Sequence, residues 1–280
     1  MSRTDTNRRR AHRGAVAQGS AWALVTGAGS GIGRCYALRL AALGYDLILA
    51  GDRLETLEAV RTEIGQASPE CRVRTFAIDL ARLEAAEEVY GFTCSKGIAI
   101  DVVINNAGIF SFCDILRTPP ERIGRIILLH DVTNTQLCRL YAADMVRRGC
   151  RGHILNMSSY SLWMPFPGLS LYSASKAYLR AFSVAFAKEV REHGIRVTAV
   201  CPAGVATDLY GLTPRWQRIG LRLGVLISAD ACARRGLRAL WRGRRTIVPD
   251  WWNRLWIPLC KLLPMWAIRP LRRFTMQFQK

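Results

Sequence analysis

The sequence predicts an α/β fold in which a parallel sheet of about seven strands is doubly wound, with helices on both faces. Three observations carry this. Short runs rich in Val, Ile and Leu alternate with longer segments whose apolar residues recur every three or four positions. The short runs are almost continuously apolar, so both faces of each strand are buried, as in a parallel sheet between helices. At 280 residues, half of them apolar, the chain can bury the core of one large domain and is marginal for two.

The elements follow in order. Residues 1–20 hold five arginines against one aspartate, without the apolar stretch of a secretory signal, and read as a disordered basic arm. "AWALVT" (21–26) is the first strand, and helical periodicity runs from Ile32 to Leu43. "YDLILA" (45–50) is the second strand, followed by a helix from Leu54 to Ile64. "RVRTFAI" (72–78), "DVVIN" (101–105), "GHILNM" (152–157), "IRVTAVC" (195–201) and "RTIVP" (245–249) complete the sheet. One domain therefore spans 21–250, with a basic, Trp-rich helical extension at 251–280. Ligands of such sheets bind at the carboxyl ends of the strands, which makes the residues after each strand the candidate site.

The first such place is "TGAGSGIG" (26–33), where glycines between a strand and a helix let the backbone approach a pyrophosphate and the helix start offers unpaired N–H groups. After the second strand, Asp52 and Arg53 stand side by side: a carboxylate suits a ribose diol, an arginine a 2′-phosphate. The acidic group would repel that phosphate, which favours NAD over NADP, while a plain helix-capping role for Asp52 stays open. Later, "YSASK" (172–176) places the Tyr172 phenol and the Lys176 ammonium one helical turn apart on one face. A phenol ionises near pH ~10, and a neighbouring cation favours the phenolate, so the pair can make a usable proton donor and acceptor.

Together, "TGAGSGIG" (26–33), "NNAG" (105–108), the serines 158 and 159, and "YSASK" resemble the short-chain dehydrogenase/reductase family over about residues 21–210. Within it, the stretch from "GHILNMSS" to "YLRAFS" looks most like the branch of long-chain 3-oxoacyl reductases and hydroxysteroid dehydrogenases. The resemblance implies a Rossmann-type domain that binds NAD or NADP. Gly27, Ser30 and Ile32, with Gly31 and Gly33 in the same turn, would line the cofactor phosphates. Asp79 would contact the adenine, Asn105 to Gly108, Ala107 included, would run beneath the adenosine and brace the sheet, and Val205 and Thr207 would face the carboxamide. Ser159, Tyr172 and Lys176 would be catalytic: Tyr172 protonates a carbonyl oxygen as hydride reaches its carbon, Ser159 donates to that oxygen, and Lys176 also holds the nicotinamide ribose. The resemblance further implies a homodimer or homotetramer.

Two positions depart from the family. Its members often carry an asparagine in a water relay behind the lysine, and counting back from Met145 puts Asp131 there, with Asn134 one turn later as the alternative. An aspartate beside Lys176 would add a charge that favours the ammonium. "PAG" (202–204) replaces a direct Pro-Gly.

Composition limits the rest. Nine scattered cysteines without a C-x-x-C pair argue against a disulfide framework and suit a reducing, cytoplasmic setting; neither they nor the four histidines have metal-ligand spacing, so no metal is expected. The net charge of +19 sits mainly at the ends: residues 211–280 hold fifteen Lys or Arg against two Asp, and six of the eight tryptophans. Nucleic acid is not the expected partner, because this much aliphatic surface does not serve phosphate binding. An anionic membrane surface fits a cationic Trp- and Leu-rich segment, and a substrate lid or dimer contact fits it equally. Because the same segment would border the cleft mouth, either favours a large apolar substrate, a small-molecule partner of hydrophobic character. The expected function is NAD(P)-dependent hydride transfer to or from its carbonyl or secondary alcohol; the rival is a non-catalytic nucleotide-sensing or scaffold protein of the same fold.

Overall fold

The computed structural model describes residues 21–164, 166–207 and 213–250. The expected basic arm and C-terminal extension lie outside the described residues. Strands β1 (Trp22–Thr26), β2 (Asp46–Gly51), β3 (Val73–Ala77), β4 (Ile100–Asn105), β5 (His153–Met157), β6 (Arg196–Val200) and β9 (Thr246–Ile247) form one sheet in the order β3-β2-β1-β4-β5-β6-β9. Every pairing in it is parallel. The chain winds outward from β1 to β3, returns to lay β4 against the other side of β1, and winds outward again. That reversal opens a crevice above β1 and β4.

Alternate strand residues feed opposite faces. Val25, Leu47 and Leu49 join a core with Leu40 of helix α1 (Gly31–Ala42), Leu57 and Ile64 of α2 (Leu54–Ala67), and Leu240. Leu24, Ile48 and Val103 join a second core with Val89 of α3 (Ala85–Ser95) and Leu137 and Tyr141 of α5 (Asn134–Arg147). Burial on both faces is why these strands carry no polar alternation. The outer strand β3 is only partly buried, and charged Arg74 takes an exposed position on it.

Three features go beyond the sequence expectation. The strand expected at 245–249 narrows to the two residues of β9. A separate pair, β7 (Gly204–Ala206) and β8 (Leu226–Ser228), runs parallel between α6 (Ser170–Glu189) and α8 (Ala229–Trp241) in the chain, with α7 (Pro214–Arg222) connecting its strands. Between α4 (Pro120–Ile127) and α5 the chain makes a π-helical turn, Leu128–Thr133. Such a wide turn carries extra residues in the ladder and rotates the side chains that follow, a geometry that recurs at functional sites.

Candidate active site

The glycine-rich turn is built for close approach. Gly27 and Gly31 have φ of 60° and 53°, the left-handed region that glycine adopts without steric cost. A Cβ on Gly27 would stand 2.8 Å from the Ala107 Cα, so the turn lies directly against "NNAG". Thr26 and Asn106 lock the two segments together. The Thr26 hydroxyl accepts from the Asn106 and Ala107 amides at 3.0 and 3.1 Å, and the Asn106 side chain donates to the Thr26 and Gly27 carbonyls at 3.1 and 3.2 Å. Sequence reading did not single out either side chain. Ser30 is the N-cap of α1 without a side-chain cap, which leaves the first-turn amides of α1 facing the crevice.

A cleft of about 440 Å³ runs along the strand ends, from Asp52 and Asp79 past the glycine turn to Ser159, Tyr172 and Lys176. Ser30, Gly31, Ile32, Ala107, Val205 and Thr207 also border it. Gly33 lies behind it, where a Cβ would fall 2.0 Å from the Gly27 carbonyl oxygen, so its part is close packing. Asn105 is buried behind the wall and donates to Asn156 at 2.9 Å; Asn156 in turn donates to Ser183 of α6 at 2.8 Å. Of the two residues competing after β2, both exposed, Asp52 borders the cleft, while Arg53 is the N-cap residue of α2. Asp79 accepts from the Ala81 amide at 2.9 Å and from Arg125 at 2.8 Å, and this arginine holds its carboxyl below the usual carboxylate range. Arg125 shares the same wall and was not anticipated.

The far end of the cleft is carried by α6. Its buried residues Tyr172, Ser175, Lys176, Leu179, Ser183 and Ala187 form one stripe at helical spacing, which turns phenol and ammonium inward together. Lys176 donates to the Met157 carbonyl at 3.0 Å and lies 5.7 Å from the centroid of the Tyr172 ring. Phe110 meets that ring edge-on at 5.1 Å. Ser159 is buried beside them, and its hydroxyl accepts from the Ser161 amide at 3.1 Å. Burial pulls the Lys176 ammonium down to about 8, against the favourable fields of Asp131 and Cys201.

The π turn decides what stands behind the lysine. A Cβ on Gly108 would be 3.1 Å from His130 Nε2 and 3.3 Å from Lys176 Nζ, so a histidine that sequence reading passed over packs there. Asp131 is half-buried; desolvation raises its carboxyl to about 6, opposed by Lys176. Asn134 is buried and its side chain donates to the His130 carbonyl within the helix at 2.9 Å. Among the described residues no cluster of acidic, Cys and His side chains could hold a metal ion.

These features fit a dinucleotide: a glycine cradle too tight for side chains, uncapped amides of α1 at a place for phosphates, a carboxylate at the end of β2, and a phenol–ammonium pair at the far end. The fold and cleft thus define an α/β protein of the nucleotide-binding kind. The chain belongs to the short chain dehydrogenase family, which residues 21–218 match. It is 35% identical over 182 residues to a very-long-chain 3-oxoacyl-CoA reductase of Pyrenophora tritici-repentis, covering 64% of this chain and 53% of that one. The chain thus spans about half the length of the curated relatives it matches. A short-chain dehydrogenase from Sphingobium yanoikuyae in complex with NADPH superposes with a TM-score of 0.73 at 29% identity, over 84% of this chain and 92% of that one. A 7β-hydroxysteroid dehydrogenase shares the fold with a TM-score of 0.79 at 22% identity, over 91% and 97% of the two chains.

Proposed function

We propose that this chain is an NAD(P)-dependent oxidoreductase acting on the carbonyl or secondary alcohol of a hydrophobic molecule, such as a long-chain 3-oxoacyl thioester or a steroid-like alcohol. The observation that carries it is the burial of Tyr172, Lys176 and Ser159 together at one end of a cleft that runs past the glycine cradle to Asp52 and Asp79. The bound nicotinamide supplies or accepts the hydride. Tyr172 gives its hydroxyl proton to the substrate oxygen in reduction and takes it back in oxidation. Ser159 donates a hydrogen bond to the same oxygen and stabilises charge as it develops there. Lys176 keeps a positive field beside the phenol, which eases loss of its proton, and holds the nicotinamide ribose. The low-dielectric surroundings strengthen that field relative to water.

Apolar surface supports the substrate class. Gln217 of α7 donates to the Thr207 carbonyl on the cleft at 3.4 Å, and Trp216 of the same helix and Leu223 at its C-terminal end are 61% and 72% exposed. Such residues suit an acyl or ring substrate arriving from a hydrophobic phase. On this reading, the segment 251–280, with "DWWNRLWIPLCKLLPMW" spanning residues 250–266, rests on an anionic membrane surface. Among the described residues no helix is long and apolar enough to cross a membrane. The preferred cofactor is NAD, on the strength of Asp52 at the cleft and Arg53 outside it. The functional form is a homodimer or homotetramer, as the family resemblance implies.

The test is a fluorescence titration with NADH and NADPH separately, followed by a screen of lipid ketones with the tighter cofactor. Tight binding of one and turnover of long-chain or steroid ketones support the reading; binding of neither overturns it. Sedimentation with anionic vesicles should weaken when residues 251–280 are removed, and unchanged sedimentation would contradict membrane docking.

A further inference from the structure

Behind the phenol and the ammonium, one fully buried side chain touches both halves of the site. His130 has no exposed surface. Its Nε2 accepts from the backbone amide of Ile109, at 3.0 Å, on the loop that follows "NNAG". Its Nδ1 lies 2.9 Å from the Ser175 hydroxyl, in the helical turn of α6 between Tyr172 and Lys176. The Ser175 hydroxyl also reaches the Tyr172 carbonyl at 2.9 Å.

These contacts fix the ring's protonation. A backbone amide can only donate, so Nε2 carries no proton and the neutral ring holds its proton on Nδ1. Nδ1–H then donates to Ser175, and the Ser175 hydroxyl donates onward to the Tyr172 carbonyl. The chain of donors runs one way and satisfies every member. An imidazolium would put an N–H against the Ile109 N–H, beside the Lys176 ammonium. Burial and that ammonium both depress the ring's basicity. Around the ring stand Lys176 and Tyr172 from α6, the latter's ring centroid 6.0 Å away, and Asp131 next along the chain.

We propose that His130, as the neutral Nδ1–H tautomer, is a positioning residue that ties the loop at Gly108–Ile109 to the helix carrying Tyr172 and Lys176. It touches no reacting atom. Its two arms act on different parts of the site: the Ile109 arm sets the loop along the cofactor cleft, and the Ser175 arm sets the helical turn of the phenol and the ammonium. The π turn makes this geometry, because it aims residue 130 into the interior between both. This role rests on the proposed oxidoreductase function for its effect on turnover, but the tautomer and the cofactor readouts stand without it.

The experiment has two arms. In the first, long-range ¹H–¹⁵N correlation spectra of histidine-labelled full-length protein at pH 7, assigned with His130→Phe or, if that variant does not fold, with His130→Gln, read the tautomer directly. A protonated Nδ1 with an unprotonated Nε2 is expected; an Nε2–H tautomer or an imidazolium overturns the proposal. In the second, NADH and NADPH affinity and turnover are compared across variants. Ser175→Ala loses the helix arm only, and His130→Gln can keep an acceptor at the Nε2 position while losing Ser175. Both should lower kcat about tenfold, the worth of one buried hydrogen bond, with cofactor Kd within about twofold. His130→Phe should in addition weaken cofactor binding about tenfold. Equal loss of cofactor affinity in Ser175→Ala and His130→Gln, or no change of kcat in either, means mere packing and overturns it. Failure of the oxidoreductase reading would show differently, as absent turnover in the unaltered protein with the tautomer as expected.

Discussion

The Lys176 ammonium lies 5.7 Å from the centroid of the Tyr172 ring while donating to the Met157 carbonyl at 3.0 Å. The carbonyl at the end of β5 thus aims the cation, and α6 brings the phenol to it. Helix geometry alone would not hold the ammonium there, because a lysine stem is long and free to turn outward. Burial is what keeps the amine inside, and burial also brings its protonation into the range where Asp131 can influence it.

That influence is measurable in the pH profile. Lys176 is lowered to about 8 and Asp131 favours its charged form, so Asp131→Asn should move the alkaline limb of ketone reduction to lower pH by about half a unit to one unit. An unmoved limb would remove Asp131 from the site's electrostatics.

The same carboxyl bears on stability. Its folded value, about 6, is above its ordinary 3.8, so its contribution is fully present below pH 3.8 and is lost as pH rises through 6. Asp131→Asn should therefore stabilise the fold at pH 8 relative to pH 4, by about 1 kcal/mol after allowance for its half-exposed position. Urea midpoints of both proteins at the two pH values check this. Lys176 has the opposite dependence: depressed from 10.5 to about 8, it returns stability as pH rises between those values.

Gly33→Ala would place a methyl group 2.0 Å from the Gly27 carbonyl oxygen and 2.6 Å from the Asn106 amide nitrogen. Backbone cannot yield there without opening the cradle. The expected loss is about 3 kcal/mol of stability together with cofactor binding, read by urea unfolding and fluorescence titration.

On the NAD reading, Asp52→Ser should raise NADPH affinity relative to NADH by about tenfold, since one repulsive charge near the 2′-phosphate is removed. Paired titrations of the two cofactors measure the ratio, and an unchanged ratio would place Asp52 away from the ribose.

Much of this architecture was legible in the sequence, for a definable reason. Strands such as Leu47–Leu49 are buried on both sides and have no tolerance for polar residues, so they announce themselves. The glycine turn and the Tyr172–Lys176 pair did so because each demands a residue type at a fixed spacing. What escaped was set by context. Gly204–Ala206 is too short and too partly exposed to read as a strand until Leu226–Ser228 pairs with it. Asn106, Thr26 and Arg125 act through partners far along the chain, 80 residues from Asn106 to Thr26 and 46 from Arg125 to Asp79. His130 escaped because a count from Met145 back through α5 assumes regular turns, and the π turn at Leu128–Thr133 changes which side chain points inward.

Proton transfer by Tyr172, with the nucleotide cleft binding independently of it, is read out by single-turnover reduction of a lipid ketone with cofactor pre-bound, comparing the unaltered protein with Tyr172→Phe. Cofactor Kd should stay within about twofold while the hydride-transfer rate falls by roughly 10³-fold. Equal rates in the two proteins would contradict that role for Tyr172.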